Sequence, residues 1–392
     1  MARRLSPLLL SVYLPTLIVS FCNGLLLPVL PLYAKSFGVS YSLVGLVLAA
    51  EGLGTLISDV PAGLLLRRIG RKPAMLLGVG CVALSALAMT WARSLPELVA
   101  YRLLAGVGDA LWGISRHAYI ADVTLVRERG RVISIFGGIG RLGTFIGPAV
   151  GGTLGASLGL RAPFLLFAAL AAVATLVAAL FLRETDPPSA RRAGEPGHLL
   201  RVLRGHYREL AAAGSAQVFA QMIRASRHIV IPVYGADVVG LDVRSLGWVL
   251  SISSAIDMSM FYPAGVIMDR FGRKYASVPS FLIQALGMAL IPLSSTFSGL
   301  LLATTVLGLG NGIGSGTMMT LGADLAPKES MGEFLGLWRL IGDAGSAGGP
   351  LAVGRLADLL GLRTAAFAMS GVGLLAVLTL VFLVRETLEK HQ

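Results

Sequence analysis

Long apolar runs, separated by short polar or basic segments, recur along the whole chain. Each run is long enough for a helix across a bilayer, which takes about 20 apolar residues. The pattern therefore predicts an all-α membrane protein with six transmembrane helices in each half. The predicted helices span 7–34, 41–66, 73–92, 96–122, 131–157, 162–183, 209–236, 243–268, 275–294, 297–324, 332–358 and 364–384.

Short polar and glycine-containing sequences occur twice in the chain, at a spacing of 202 positions from Gly70 to Gly272. Gly-Arg-Lys follows this rule, as do Ala-Asp at Asp122 and Asp324 and Arg-Glu-Thr at Glu184 and Glu386. A repeat of this length is a whole half-protein. We therefore predict two pseudo-symmetric six-helix bundles at 1–183 and 209–384, joined by a linker at 184–208 and followed by a tail at 385–392. Two similar halves are typical of secondary transporters.

Composition excludes an ordinary soluble protein, because 55% of the residues are hydrophobic and only 14% are charged, against about 25% charged in soluble domains. The net charge of +12 is concentrated at one set of predicted helix ends. Positive residues stay on the cytoplasmic side, so we expect a cell-membrane protein with both termini and the linker inside. The basic residues are dispersed among the spans, which argues against a nucleic-acid interface. Arg201, Arg204 and Arg208 of the linker are expected to rest on anionic lipid headgroups.

The loops after the second and eighth predicted helices carry related motifs. The second copy reads Gly265-Val-Ile-Met-Asp269-Arg270-Phe-Gly272-Arg273-Lys274, and the first reads Gly63-Leu-Leu-Leu-Arg67-Arg68-Ile-Gly70-Arg71-Lys72. Both copies resemble the loop motif of the major facilitator superfamily, and the resemblance extends over essentially the whole chain. In that family the motif's acid helps to hold the cytoplasmic side shut. Arg67 stands where the acid belongs, so the resemblance leaves that role to Asp269; the alternative is that both loops only anchor helices by charge.

Two further motifs resemble the drug:proton antiporter branch of this family. The fifth predicted helix contains Gly143, Gly147-Pro148 and Gly151-Gly152, and the fourth contains Arg102 followed by Gly106 and Gly108. In that branch the arginine is associated with proton handling. Small residues at such spacings also let helices approach closely, so plain helix packing is the alternative interpretation.

Charged residues inside predicted spans are the candidates for function, because each costs about 2.5–3.5 kcal/mol at a helix centre. Counting along the helices places Arg102 toward the outside and Asp59 toward the cytoplasm. The family resemblance implies that the second, fifth, eighth and eleventh helices meet across the two halves. Matching depths then suggests Glu51 or Asp59 opposite Arg339 and Asp343, and Arg141 opposite Asp257. These groups form either permanent ion pairs or a switch that a proton operates, since a desolvated carboxylate binds its proton more tightly unless a cation is near. Arg355 and Asp358 are interpreted as ordinary interface charges.

The family resemblance implies a central cavity lined by the first, fourth, seventh and tenth helices. The polar residues that we expect there are Asn23, Asp109, Arg116, His117, Arg224, Arg227, His228 and Asn311. Asp109 is the first candidate for the proton carrier, and Asp257 is the second. The first helix offers only Asn23 where many exporters of cationic drugs have an acid. Arg224, Arg227 and His228 make the second half positive, which shifts the expected substrate toward an anionic, zwitterionic or amphiphilic molecule.

The sequence thus favours a monomeric, proton-coupled exporter of amphiphilic or hydrophobic compounds. The alternatives are an importer, uniporter or lipid translocator for an anionic or zwitterionic solute and, from another class, a transport-inactive sensor or an intramembrane enzyme. No cofactor is expected. The Gly138-Ile-Gly140-Arg-Leu-Gly143 sequence matches a dinucleotide-binding pattern but lies within a predicted span with no strand before it, and the five histidines show no metal-ligand spacing.

Overall fold

The computed structural model describes residues 8–124, 129–185, 204–205, 207–327 and 330–388. Within these ranges the chain folds into twelve helical spans and contains no strand, which confirms the predicted all-α membrane fold. The spans are α1 Leu9–Lys35, α2 Tyr41–Ile69, α3 Arg71–Thr90, α4 Leu95–Val123, α5 Arg129–Leu158, α6 Ala162–Phe181, α7 Tyr207–Asp237, α8 Val243–Phe271, α9 Arg273–Leu293, α10 Phe297–Leu325, α11 Met331–Leu360 and α12 Leu362–Phe382.

Several predictions fall on residues outside these ranges. They include most of the predicted linker with Arg201, and the side chain of Arg208 is likewise not described.

Eight of these helices are long and apolar enough to cross a membrane by length and composition: α1, α2, α3, α6, α8, α9, α10 and α12. The other four are α4, α5, α7 and α11. They carry many of the charged residues that the sequence singles out, among them Arg102, Arg141, Arg224 and Arg339. Most of the charge that needs a partner or a function is therefore concentrated on a minority of the helices.

Two helices of the second half are interrupted, which the apolar pattern did not predict. The first part of α8 ends at Ser259 and the second begins at Phe261. The first part of α10 ends at Ile313 and the second begins at Thr317. Their counterparts in the first half, α2 and α4, are uninterrupted. Interrupted helices within a membrane are tolerated where other protein groups satisfy the freed backbone.

The contacts divide the chain into two compact units. The first contains Met1–Val39, Leu46–Arg191 and Asp242–Ser251, and the second contains Ser40–Gly45, Arg192–Leu241 and Ile252–Gln392. Helix α2 therefore begins in the second unit and continues in the first, whereas α8 begins in the first unit and continues in the second. Within the first unit, a core of buried side chains includes Val12, Met75 and Trp112.

Candidate functional site

The repeated short sequences of the first unit meet at the start of α3. The Glu184 carboxylate accepts the backbone N–H of Arg71 at 2.7 Å and that of Lys72 at 3.2 Å. Arg71 as a whole is only 6% exposed. Its side chain donates to Asp122 at 3.1 Å, and the hydroxyl of Thr185 donates to the same carboxylate at 3.1 Å. A carboxylate at a helix N-terminus is favourable because the free N–H groups and the dipole both attract an anion.

The second unit contains the same network at the start of α9. The Glu386 carboxylate accepts the backbone N–H groups of Arg273 and Lys274, each at 2.9 Å. Asp324 accepts from the Arg273 side chain at 2.9 Å and from Thr387 at 2.8 Å. We call these two clusters the start-of-helix networks. Burial raises the pKa of Glu386, but backbone N–H groups, including those of Lys274 and Arg273, outweigh it and hold the pKa below its ordinary value of 4.5.

Glycine is required at the first position of each Gly-Arg-Lys sequence. Gly70 has φ 89° and Gly272 has φ 119°, a region that residues with a Cβ rarely adopt. A Cβ on Gly70 would also meet the Glu184 carboxylate, and one on Gly272 would meet that of Glu386. The glycines of the loop motif thus give the acids access to the helix N-terminus.

The acidic position of the loop motif differs between the units as the sequence indicates. The side chain of Asp269 is 81% exposed and forms an ion pair with Arg273 at 3.5 Å. Arg67 occupies the equivalent place at the end of α2, and its side chain is exposed. Gly63 and Gly265 have open space where a Cβ would lie, and Arg270 is exposed at the end of the second part of α8.

The motif glycines of α5, from Gly143 to Gly152, serve close helix packing. A Cβ on Gly143 or Gly147 would meet the backbone of α1 near Phe21, and a Cβ on Gly151 would meet the carbonyl oxygen of Leu25. Gly152 lies instead against the first turn of α8, at Val243, within the first unit. This arrangement agrees with the packing interpretation of the motif. Pro148 joins the same contact, because its carbonyl oxygen lies where a Cβ on Gly247 would be.

An ion pair between α2 and α4 was not predicted. Glu51 bonds to the guanidinium of Arg102, with 24% and 9% of the two side chains exposed. Arg339 and Asp343 pair with each other at 3.5 Å along α11, and the suggested place of Glu51 or Asp59 opposite them stays a prediction.

Asp257 is buried on α8 and accepts a hydrogen bond from the Asn311 amide of α10 at 2.7 Å. Asn311 lies one turn before the interruption of α10, and the suggested place of Arg141 opposite Asp257 stays a prediction. A Cβ on Gly312 would meet both Asp257 and Met260. The end of the first part of α10 therefore contacts the interruption of α8 at Met260, with this acid–amide pair beside the contact.

Arg224 of α7 also reaches the interruption of α10. Its guanidinium donates to the carbonyl oxygen of Gly314 at 2.8 Å and lies 5.0 Å from the centre of the Phe281 ring. Carbonyl groups at the C-terminal end of a helix carry partial negative charge and attract a cation. The second unit thus brings together three of the predicted site residues, Arg224, Asp257 and Asn311, around one segment of α10.

The other predicted cavity residues have simpler surroundings. His117 bonds through Nδ1 to the carbonyl oxygen of Gly113 in its own helix at 2.7 Å, and the Arg116 guanidinium lies 5.5 Å from the Trp112 ring centre. The imidazole Nδ1 of His228 has no hydrogen-bond partner among the described residues. The remaining predicted cavity residues, Asn23, Asp109 and Arg227, are half-buried. Asp59 and Arg141 are half-buried as well.

Asp358 is more than an ordinary interface charge. Its carboxylate accepts the backbone N–H of Tyr41 at 2.8 Å and that of Ser42 at 2.9 Å, within the second unit. The Tyr41 hydroxyl donates to Asp237 at 2.8 Å. These contacts are not visible in the sequence, because they join residues far apart in the chain and Asp358 has no acidic counterpart in the first half, where Ala156 stands.

The bonds made by the acids of the start-of-helix networks were also not predicted from the sequence. In the sequence, Glu184, Glu386, Asp122 and Asp324 indicate only the duplication. Their side chains bond the same partners in both units. A polar residue kept in both halves of a repeat was the signal that could have identified them.

Comparison with known proteins places the whole chain in one group. The model of the Major Facilitator Superfamily matches residues 12–226 and 213–392. The chain is 22% identical to an uncharacterized MFS-type transporter of Methanocaldococcus jannaschii, over 86% of this chain and 88% of the relative. It is 26% identical to the class C tetracycline resistance protein of Escherichia coli, over 84% of each. The solved structure of a POT family transporter in complex with a thioalcohol-conjugated peptide has the same fold, with a TM-score of 0.79 at 15% identity, over 94% of each chain.

Proposed function

The chain belongs to the Major Facilitator Superfamily, a family of transporters and not of enzymes, and from that premise we propose that it exports amphiphilic or hydrophobic small molecules in exchange for protons. The protein itself is a multi-pass membrane transporter. The finer proposal is supported by the tetracycline resistance relative and by the glycine-proline motif of α5. We further propose that it lies in the cell membrane with both termini cytoplasmic and acts as a monomer.

The observation that carries the proposal is the position of one acid in each unit. Asp257 lies against Asn311 in the contact between α8 and α10. Asp109 of α4 is the equivalent of Asn311 of α10, which lies 202 residues later in the chain. The position that carries an amide beside Asp257 in the second half therefore carries a carboxyl group in the first half. A carboxyl group in a membrane span that gains and loses a proton can bias a two-state equilibrium, which is the requirement for coupling.

We assign proton transfer first to Asp109, which is half-buried on α4. Asp257 is the second candidate, and we assign a gating role to the ion pair of Glu51 with Arg102. The alternative, an importer or uniporter of an anionic solute, is favoured by Arg224 on α7 and differs in needing no proton exchange.

The test uses proteoliposomes with pyranine inside and an imposed pH gradient. Tetracycline and naphthalenesulfonate are added as probes, and proton movement is followed by pyranine fluorescence. Antiport predicts that probe and protons move in opposite directions. D109N is expected to lose gradient-driven transport while retaining probe-for-probe exchange. The amide at position 109 stays neutral and cannot bind or release a proton.

The matched control is E97Q, which removes an acid from the first turn of the same helix and is expected to keep coupling. If D109N remains coupled and D257N does not, the assignment moves to Asp257. Probe movement without proton movement in the unmodified protein would contradict antiport and support the uniporter.

A further inference from the structure

We propose that a cavity at one end of the second unit is a binding site for the lipid phosphatidylethanolamine. The cavity has a volume of about 350 Å³, a size at which proteins hold small ligands. It lies where α7 begins and where α10 and α12 end, all within the second unit. The inference goes beyond the proposed export function, because it does not depend on the direction or the coupling of transport. The residues that line the cavity include Glu209, Ala213, Leu325, Leu383, Val384 and Arg385.

The lining of the cavity has an apolar part and a charged part. Glu209 and Arg385 are its charged members, and both are exposed. The other side chains are those of alanine, leucine and valine, and they offer no hydrogen bonds to water. The ligand that fits such a lining is an amphiphile with an apolar body and charges at one end.

The cavity lies where a lipid-facing surface ends. Phe382 is 76% exposed and Leu383 is 56% exposed at the end of α12, and the charged residues Arg385 and Glu386 follow directly. Tyr207, the first residue of α7, is also 56% exposed, and tyrosine is enriched at the boundary between membrane and water. The cavity is therefore at the level of the lipid headgroups, which makes a membrane lipid the amphiphile that reaches it.

The two charges of the cavity select the headgroup. A guanidinium such as that of Arg385 binds phosphate through charge-assisted and often bidentate bonds. The Glu209 carboxylate repels a headgroup with net negative charge, such as phosphatidylglycerol, and attracts an ammonium group. A primary ammonium also donates hydrogen bonds to a carboxylate, which the quaternary ammonium of phosphatidylcholine cannot do. Phosphatidylethanolamine therefore matches both charges.

The wall beside Arg385 is held in place by the protein itself. The Lys274 ammonium donates to the carbonyl oxygen of Val381 at 2.9 Å and to that of Val384 at 2.8 Å. The Glu386 carboxylate accepts backbone N–H groups at the start of α9. The end of α12 is thus ordered without a ligand, and a preformed site loses less entropy when a ligand binds.

The equivalent place in the first unit is filled. At a spacing of 201 positions, the same as that between Tyr33 and Tyr234, Leu8 stands where the second unit has an acid. Val12 stands where the second unit has Ala213. Both Leu8 and Val12 belong to the hydrophobic core of the first unit and are 9% and 0% exposed. The duplicated fold therefore forms with this place closed, so the cavity of the second unit is not a requirement of the fold.

The test measures thermal unfolding of the purified, delipidated protein in a neutral detergent with three lipids that have the same acyl chains. These are phosphatidylethanolamine, phosphatidylcholine and phosphatidylglycerol. Phosphatidylethanolamine is expected to raise the unfolding temperature most. R385Q should weaken the apparent affinity for this lipid by about tenfold, and E209Q should remove its advantage over phosphatidylglycerol. A212L, which places a larger side chain in the cavity lining, should make the three lipids equivalent.

The matched control is R183Q, which removes the equivalent exposed arginine of the first unit and is expected to respond to the lipids as the unmodified protein does. Equal shifts with the three lipids, a larger shift with phosphatidylglycerol, or an equal loss in R183Q and R385Q would overturn the proposal. Equal stabilisation by glycerophosphoethanolamine, which lacks acyl chains, would also contradict it. The comparison of lipids on the unmodified protein remains decisive even if A212L does not fold. Neither a substrate nor a pH gradient enters the measurement, so failure of the proposed antiport would not affect its outcome.

Discussion

Residues at equivalent positions of the two units join equivalent helices through different kinds of bond. Glu51 of α2 pairs with Arg102 of α4, whereas at the equivalent positions the Ser253 hydroxyl donates to the carbonyl oxygen of Thr304 at 2.6 Å. Because α8 and α10 of the second unit meet through a neutral hydrogen bond at these two positions, an ion pair there is not necessary for the contact. This favours a functional role for Glu51 and Arg102 over a purely structural one.

The energetic cost of the charge pair can be measured against its neutral counterpart. E51Q is expected to destabilise the protein by about 3 kcal/mol, since it leaves the largely buried Arg102 without its carboxylate. The double variant E51Q/R102Q should cost less than the sum of the single variants. S253A should cost only about 1 kcal/mol, the value of a neutral hydrogen bond. Chemical unfolding in detergent provides the measurement, and additive effects at Glu51 and Arg102 would show that the two do not interact.

At the scale of elements, glycine decides which helices come into close contact and where. The spacing of Gly143, Gly147 and Gly151 puts all three on the face of α5 that meets α1. Gly106 of α4 lies against the carbonyl oxygen of Glu51, and Gly308 of α10 lies in the same way against that of Ser253. Backbone-to-backbone approach of this kind depends on the absence of a side chain.

Substitutions within α5 separate this packing role from helix propensity. G151A is expected to destabilise the protein by about 1–3 kcal/mol, because the new Cβ meets the carbonyl oxygen of Leu25 and α1 must shift. G138A, on the same helix, meets nothing within 4 Å and should be neutral or slightly stabilising, since alanine favours a helix over glycine. Thermal unfolding of both variants checks this. A similar loss in both would mean that backbone freedom, and not packing, explains the glycines.

At the scale of the whole molecule, duplication supplies a common scaffold and divergence supplies the asymmetry. The start-of-helix networks are kept in both units with the same bonds. The interruptions of α8 and α10 and the charge of Arg224 occur in the second unit only. The kept contacts therefore belong to the fold, and the divergent ones are the places to look for specificity and coupling.

The start-of-helix network of the second unit predicts a particular dependence on pH. The pKa of Glu386 is lower in the folded protein than its ordinary value of 4.5. The charged carboxylate therefore contributes stability that is complete above that pH and is lost as the pH falls through the folded value. E386Q should destabilise the protein by about 2 kcal/mol near neutral pH. The difference in the free energy of unfolding between E386Q and the unmodified protein should shrink below pH 4.5.

Unfolding measured from pH 7 to the acid range tests this expectation. A difference that does not change with pH would contradict it. E184Q is the counterpart in the first unit and shows whether both networks support the same unfolding transition.

The sequence by itself determined the membrane fold, the number of helices and the duplication, because long apolar runs and repeated turn residues are local properties that survive in one dimension. It also selected Arg224, Asp257 and Asn311 as candidates, since charged and amide groups in a span need partners. The partners themselves were decided by tertiary structure. Glu51 meets Arg102, and Asp358 meets Tyr41, through distances and side-chain reach that no residue count supplies. The interruption at Gly314 was likewise invisible, because it depends on Ser280 and Arg224 filling the space beside that glycine.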